Sequence, residues 1–136
     1  MKKVIGLFLL LVSISVFAGS KDLNGVEHDL FKYKGKYVLM NNFATWCSPC
    51  IEEMSNLVIL HNRNPDLVVL IYSADSEEFA LLRKFAKDNL VPFPIIPIPL
   101  KKLDVIPATE LYNPDGKLIK TFMGVIRPDQ IESYLK

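Results

Sequence analysis

Residues 37–50 read Tyr37-Val38-Leu39-Met40-Asn41-Asn42-Phe43-Ala44-Thr45-Trp46-Cys47-Ser48-Pro49-Cys50. The apolar residues 37–40 and Phe43 have the character of a buried strand running up to Trp46 and Cys47. Beyond Cys50, Ile51, Met54, Leu57, Val58 and His61 recur at helical spacing, with Glu52, Glu53, Asn56 and Asn62 off that stripe. Asn64-Pro65-Asp66 ends the helix. A strand therefore delivers two cysteines, three positions apart, to the start of a helix. Everything else in the chain is read outward from that junction.

On the C-terminal side, residues 67–72 form a continuous apolar run with β-branched members, the pattern of a strand covered on both faces. Asp75 offers an N-cap with Glu78 three residues on, a capping-box pattern. The helix this predicts carries Phe79, Leu82, Phe85 and Ala86 on one side and reaches about Asn89. Strand–helix–strand alternation predicts an α/β sheet with a parallel part. Residues 91–100 hold Pro92, Pro94, Pro97 and Pro99 with Ile95, Ile96 and Ile98 between them. Proline cannot donate to a ladder, which limits this stretch to a short edge-type strand or an extended loop. Residues 109–112, the turn Asn113-Pro114-Asp115-Gly116 and residues 117–123 predict a β-hairpin. Gly124 breaks the strand, and Pro128 is placed as first residue of a closing helix with Ile131, Tyr134 and Leu135. The predicted order is β–α–β–α–β–β–α. Ahead of it stands an N-terminal extension with turns at residues 22–25 and 34–36 and an amphipathic stretch around Leu30 and Phe31.

The first 18 residues have the three-part layout of a secretory signal peptide. Lys2 and Lys3 precede an apolar run, and Val16 and Ala18 stand at the −3 and −1 positions before Gly19. The competing reading is a retained membrane anchor, but residues 4–18 include Gly6, Ser13 and Ser15 and fall short of the roughly 20 apolar residues of a spanning helix. Residues 1–18 are thus expected to be removed, leaving residues 19–136 as one extracytoplasmic domain, periplasmic or equivalent. The whole chain has 16 Lys and Arg against 15 Asp and Glu. No strong basic field exists to draw nucleic acid as a partner.

Outside the cytosol a cysteine pair is usually a structural link. A ring closed three residues apart removes little unfolded-state entropy, so chemistry explains this pair better. A structural zinc site needs about four ligands. There is no second cysteine pair, and His28 and His61 are isolated and read as surface or packing residues. Binding of Cu(I) by the two thiolates stays open, though no Met or His cluster supports it. At the helix start, Cys47 meets unsatisfied N–H groups and the positive end of the dipole. Both stabilise a thiolate, and thiols so placed commonly have pKa values lowered to roughly 3.5–7.5. Cys47 is expected to be the exposed nucleophile and Cys50, one turn in, the buried resolving thiol. Ser48 and Pro49 shape the turn between them.

Residues 42–50, Asn-Phe-Ala-Thr-Trp-Cys-Ser-Pro-Cys, resemble the FWATWCxPC signature of thioredoxin-like thiol–disulfide oxidoreductases of the TlpA/ResA type. The likeness extends to residues 23–25, 34–36 and 114–116 and covers nearly all of the chain after residue 18. It implies a thioredoxin fold: a central mixed β-sheet flanked by helices, with an N-terminal extension. Pro107 matches the family's cis-proline opposite the redox pair, which would lay the backbone of Ile106 beside Cys47 to pair with a substrate strand. An ordinary trans proline is the alternative. Glu53 matches an acidic residue three after the second cysteine, whereas Asn41 stands where thioredoxin has a buried Asp. Glu53 is then the candidate to exchange a proton with Cys50; otherwise it is a solvated helix residue like Glu52. Trp46 either covers the disulfide as part of a docking surface or packs in the core. Two departures are Asn42-Phe43 in place of Phe-Trp, and Ser55 in place of a helix-kinking proline.

The resemblance implies no cofactor beyond the redox-active Cys47–Cys50 disulfide. It implies exported protein substrates bearing thiols or disulfides, a membrane thiol–disulfide donor as partner, and a monomer. Residues 75–100 leave no room for the large helical insert of disulfide-introducing oxidases, and Pro49 before Cys50 is the arrangement of reducing thioredoxins. The expected activity is reduction of exported proteins, apocytochrome c among them. Alternatives are a disulfide oxidase or isomerase, or a Cu(I) chaperone using the same two cysteines.

Overall fold

The computed structural model describes residues 19–98 and 105–136. The signal-peptide reading falls on residues 1–18 and lies outside the described residues, as does the end of the Pro-rich stretch at Pro99 and Leu100. Two short strands, β1 (Ser20–Lys21) and β2 (Glu27–His28), pair antiparallel, followed by a 3-10 turn at Phe31–Tyr33. Then come β3 (Val38–Phe43), α1 (Ser48–Arg63), β4 (Val68–Ser73), α2 (Phe79–Asp88), β5 (Ile95–Pro97), β6 (Ala108–Tyr112), β7 (Leu118–Met123) and α3 (Pro128–Glu132). Five of these strands form one sheet in the order β5-β4-β3-β6-β7. β3 is central, parallel to β4 and antiparallel to β6; β4 is parallel to β5, and β6 antiparallel to β7. This is the mixed sheet of a thioredoxin fold. The Pro-rich stretch supplies one strand more than the order read from sequence, and it sits at the sheet edge, where prolines cost least.

Strand alternation sorts the core onto two faces. Leu39 and Phe43 join Leu57, Leu60, Ile71, Leu82, Leu111 and Ile131 in the larger cluster, to which all three helices contribute. Val38 packs with Leu70, Ile96 and Ile98 on the other face, under Leu30 and Tyr33 of the N-terminal extension. There His28 is buried, its Nε2 2.8 Å from Asp22 Oδ2 and its Nδ1 2.5 Å from Tyr33 Oη.

Three sequence expectations change. The buried stripe of α1 is Cys50, Glu53, Met54, Leu57 and Leu60, while Ile51 is exposed. The helix is turned so that Glu53, not Ile51, faces the sheet, because polar partners wait for it there. Asp75 does not cap α2, which starts at Phe79 after Glu78 and has no side-chain cap bond. The carboxylate of Asp75 is occupied elsewhere, by Thr45 and Ser73. The closing helix is short, with Tyr134 and Leu135 packing beyond its end.

The β6–β7 turn is held by Asn113, whose Oδ1 accepts from the N–H groups of Asp115 and Lys117, both at 3.0 Å. Gly116 has φ +80°, a region L side chains avoid. Gly116→Ala should therefore cost about 1–2 kcal/mol, read as a lower urea midpoint with the slope unchanged.

Candidate active site

The site is built where β3 gives way to α1. Phe43 O accepts from Ala74 N–H at 2.8 Å, which ties the strand end to the segment after β4. Cys47 N–H then donates to Ala44 O at 3.2 Å, closing a turn that throws the chain into the helix. Cys47 is the N-cap of α1, and its Sγ accepts from Cys50 N–H at 3.3 Å. Pro49 sits in the first turn, where a missing N–H is harmless. A disulfide joins Cys47 and Cys50, whose Cα atoms are 5.2 Å apart. The sulfur of Cys47 thus occupies the place where helix N–H groups and dipole favour negative charge. Cys47 is the more open of the two, 8 % exposed against 1 % for Cys50. The opening at Cys47, expected from sequence to be the exposed thiol of the pair, is narrow.

One helical turn past Cys50, Glu53 is 0 % exposed. Its Oε2 accepts from Ile126 N–H at 2.7 Å, and its Oε1 accepts from the Asn41 amide. The same Asn41 amide donates to Thr109 Oγ1 at 2.9 Å. Burial pushes the Glu53 carboxyl up to about 7, against the opposing pull of the Ile126 N–H and the Asn41 amide. Glu53 is therefore no solvated helix residue, unlike exposed Glu52. Its hydrogen bonds run to Asn41 and Ile126, not to a cysteine.

The Ile106–Pro107 peptide is cis. Pro107 O accepts from Gly124 N–H at 2.9 Å. Ala108 is paired with Asn42, so Pro107 and Ile106 stand at the sheet end that bears the Cys47 turn. Trp46 is 64 % exposed and does not pack in the core. Val105, Met123 and Val125, also exposed, belong to the segments flanking Pro107 and Gly124. The two histidines stand apart from the pair: His28 in the extension, His61 edge-on to Phe93 at 5.7 Å. Among the described residues no three His, Cys, Asp or Glu side chains group as metal ligands.

Thr109, Ile126, Thr45 and Asp75 were not visible as site residues in the sequence. Asn41 was the available signal, since alternation along β3 puts it on the face of Leu39 and Phe43, toward α1.

The model of the AhpC/TSA family matches residues 16–125. The thiol–disulfide oxidoreductase ResA of Bacillus thuringiensis subsp. konkukian is 33 % identical over 122 residues, spanning 85 % of this chain and 70 % of that one. The chain belongs to the AhpC/TSA family and is a thiol–disulfide oxidoreductase of the ResA type. ResA of Bacillus subtilis is 27 % identical, over 85 % of this chain and 68 % of its own. In fold, this ResA-type chain resembles StoA from Bacillus subtilis, with a TM-score of 0.72 at 22 % identity over 87 % of this chain and 95 % of that one. It also resembles a secreted thiol-disulfide isomerase from Corynebacterium glutamicum, with a TM-score of 0.77 at 21 % identity over 85 % and 78 %. For a ResA-type enzyme the placement of the acid is informative. Asn41 holds the β3 position where thioredoxin has an acid, and the carboxyl it meets comes from α1.

Proposed function

We propose that this oxidoreductase acts outside the cytoplasm as a reductant of exported proteins, with apocytochrome c as one setting, through Cys47 and Cys50 and without a further cofactor. The observation that carries the exchange chemistry is Cys47 as N-cap of α1, its sulfur accepting a helix N–H, with Cys50 buried one turn on. In the reduced enzyme the Cys47 thiolate attacks one sulfur of a substrate disulfide. The S–S bond breaks, one substrate thiolate leaves, and a mixed disulfide forms. Cys50, deprotonated by Glu53, then attacks Cys47 Sγ and expels the second substrate thiol. Two electrons have passed to the substrate, and the enzyme holds the Cys47–Cys50 disulfide until an external dithiol reduces it. Pro107 and Ile106 supply backbone, and Trp46 an apolar surface, for the substrate segment.

Support for the direction comes from Pro49 and from the short stretch between α2 and β6, which holds one three-residue strand, β5, among the described residues. Support for the compartment comes from the sequence of residues 1–18. Mass spectrometry of the protein from its native host should find an N-terminus at Gly19. A retained residue 1–18 segment would replace the free domain with an anchored one. Acid trapping followed by alkylation should find Cys47 and Cys50 mostly reduced in the cell, and deletion should lower holocytochrome c unless thiol is supplied. A fully oxidised pair with normal cytochromes would reverse the direction. Tight Cu(I) binding without insulin reduction would replace exchange with metal carriage.

A further inference from the structure

Asp75 lies just past β4, thirty residues from Thr45, and is 8 % exposed. Its Oδ2 accepts from Thr45 N–H at 2.7 Å and from Ser73 Oγ at 3.0 Å, and its Oδ1 accepts from Thr45 Oγ1 at 2.9 Å. Three donors on one carboxylate satisfy a charge that would otherwise be costly to bury. Two of them come from a single residue, through backbone and side chain together, and that fixes both the position and the rotation of Thr45. The nearby start of α2 goes without a side-chain cap although Asp75 is placed in sequence to supply one. The carboxylate serves the redox turn instead.

Thr45 is the second residue of the turn that Cys47 N–H closes on Ala44 O. The turn is anchored before it by Phe43 O and after it by α1, so Thr45 is where its course can vary. Trp46 follows directly and is exposed, and the backbones of Thr45 and Cys47 set where its indole stands. Thr45 and Trp46 also border an open surface groove of about 410 Å³ that is lined as well by Leu81, Lys84 and Phe85 of α2. Asp75 thus joins the Thr45 turn to the segment that leads from β4 toward α2.

We propose that Asp75 is a positioning residue, whose grip on Thr45 presents Trp46 and Cys47 to protein substrates. The proposal rests on the reading of Cys47–Cys50 as the exchanging pair. Small disulfides need only the sulfur; a protein disulfide also needs the surface around it. Asn at this position keeps one oxygen for Thr45 N–H and offers its amide N–H to Thr45 Oγ1, which can accept. Ala keeps neither contact.

The test is the ratio of second-order rate constants toward insulin and toward the small aromatic disulfide DTNB, measured on the purified protein. Asp75→Ala should lower the ratio about tenfold and Thr45→Val about threefold, while Asp75→Asn stays within about twofold of wild type, as expected for misplacement of a docking surface. A merely structural Asp75 would lower the melting temperature of Asp75→Ala and leave the ratio unchanged, which overturns the proposal. An Asn variant as impaired as Ala overturns it too, since charge and not geometry would then matter. Should Asp75→Ala fail to fold, Thr45→Val decides, and an unchanged ratio there is fatal. Wild type inert toward both disulfides would remove the exchange reading itself, before any variant is compared.

Discussion

Cys47→Ser lowers insulin reduction by about a thousandfold or more, whereas Cys50→Ser leaves a protein that attacks once and stays attached to its substrate. The asymmetry follows from the two positions. Cys47 sits at the N-cap, where its sulfur accepts the Cys50 N–H and shares the positive end of a 16-residue helix. Serine there has neither a thiolate nor a disulfide to offer. Cys50 is closed to solvent by the core of Met54 and Leu57, so no substrate reaches it directly. Its remaining task is to attack Cys47 Sγ within the mixed disulfide. Without it, the adduct persists and can be isolated on a non-reducing gel and dispersed by dithiothreitol. In the reduced wild type, Cys47 should alkylate far faster than Cys50. Equal rates, or adducts trapped by Cys47→Ser and not by Cys50→Ser, would exchange the two roles.

Glu53→Gln should change stability and rate in opposite directions. The folded carboxyl titrates near 7 against an ordinary 4.5. Between those values the native state holds a proton that the unfolded chain has already lost, so stability falls as pH rises from about 4.5 to about 7. The loss above pH 7 amounts to about 3 kcal/mol, the equivalent of that rise. Glutamine carries no charge to bury. Its oxygen can still accept from Ile126 N–H, and the Asn41 amide can turn to accept from the new amide, with Thr109 Oγ1 then donating. The variant should match wild type near pH 4.5 and exceed it by up to about 3 kcal/mol at pH 8, where Glu53 would be ionised in a buried site. Exchange should slow by about a hundredfold, because glutamine cannot take the proton from Cys50. Glu52→Gln, on the exposed side of α1, should leave both measurements unchanged. Denaturant midpoints at pH 4.5, 6 and 8 test the stability term, and single-turnover reduction of insulin tests the rate. Identical behaviour of the two glutamine variants would reduce Glu53 to packing.

Much of this architecture could be read because periodicity reports burial. The apolar strand into Cys47, the run at 67–72 and the Asn113–Gly116 turn are local patterns, and each formed where it was read. The Pro-rich stretch could be narrowed only to an edge strand or a loop, since three isoleucines and four prolines oppose one another. What escaped were polar residues whose partners are far along the chain. Periodicity counts apolar positions, so Glu53 fell outside the stripe of α1 although it lies in the middle of the buried face. Its partners come from β3 and from the segment before α3, and no local rule connects them. Asp75 was misread for a related reason. An acid three residues before Glu78 satisfies the pattern of a helix cap, and only the paired ends of β3 and β4 bring Thr45 close enough to claim it. Trp46 could be read as core or as surface, and the turn that projects it decides for surface.

The most direct test of the account is the midpoint potential of the Cys47–Cys50 couple, measured by equilibration with dithiothreitol or glutathione buffers at pH 7. A thiolate favoured at the N-cap, a buried resolving thiol and a nearby titrating carboxyl describe a pair that exchanges readily. Because a favoured thiolate by itself stabilises the reduced form, the proposed reductant role rests on the potential. The account predicts a value of roughly −220 to −300 mV, the range that includes thioredoxin. A midpoint below about −300 mV, with slow equilibration, would mark an inert structural link, and one near −120 mV would mark an oxidant; either contradicts it.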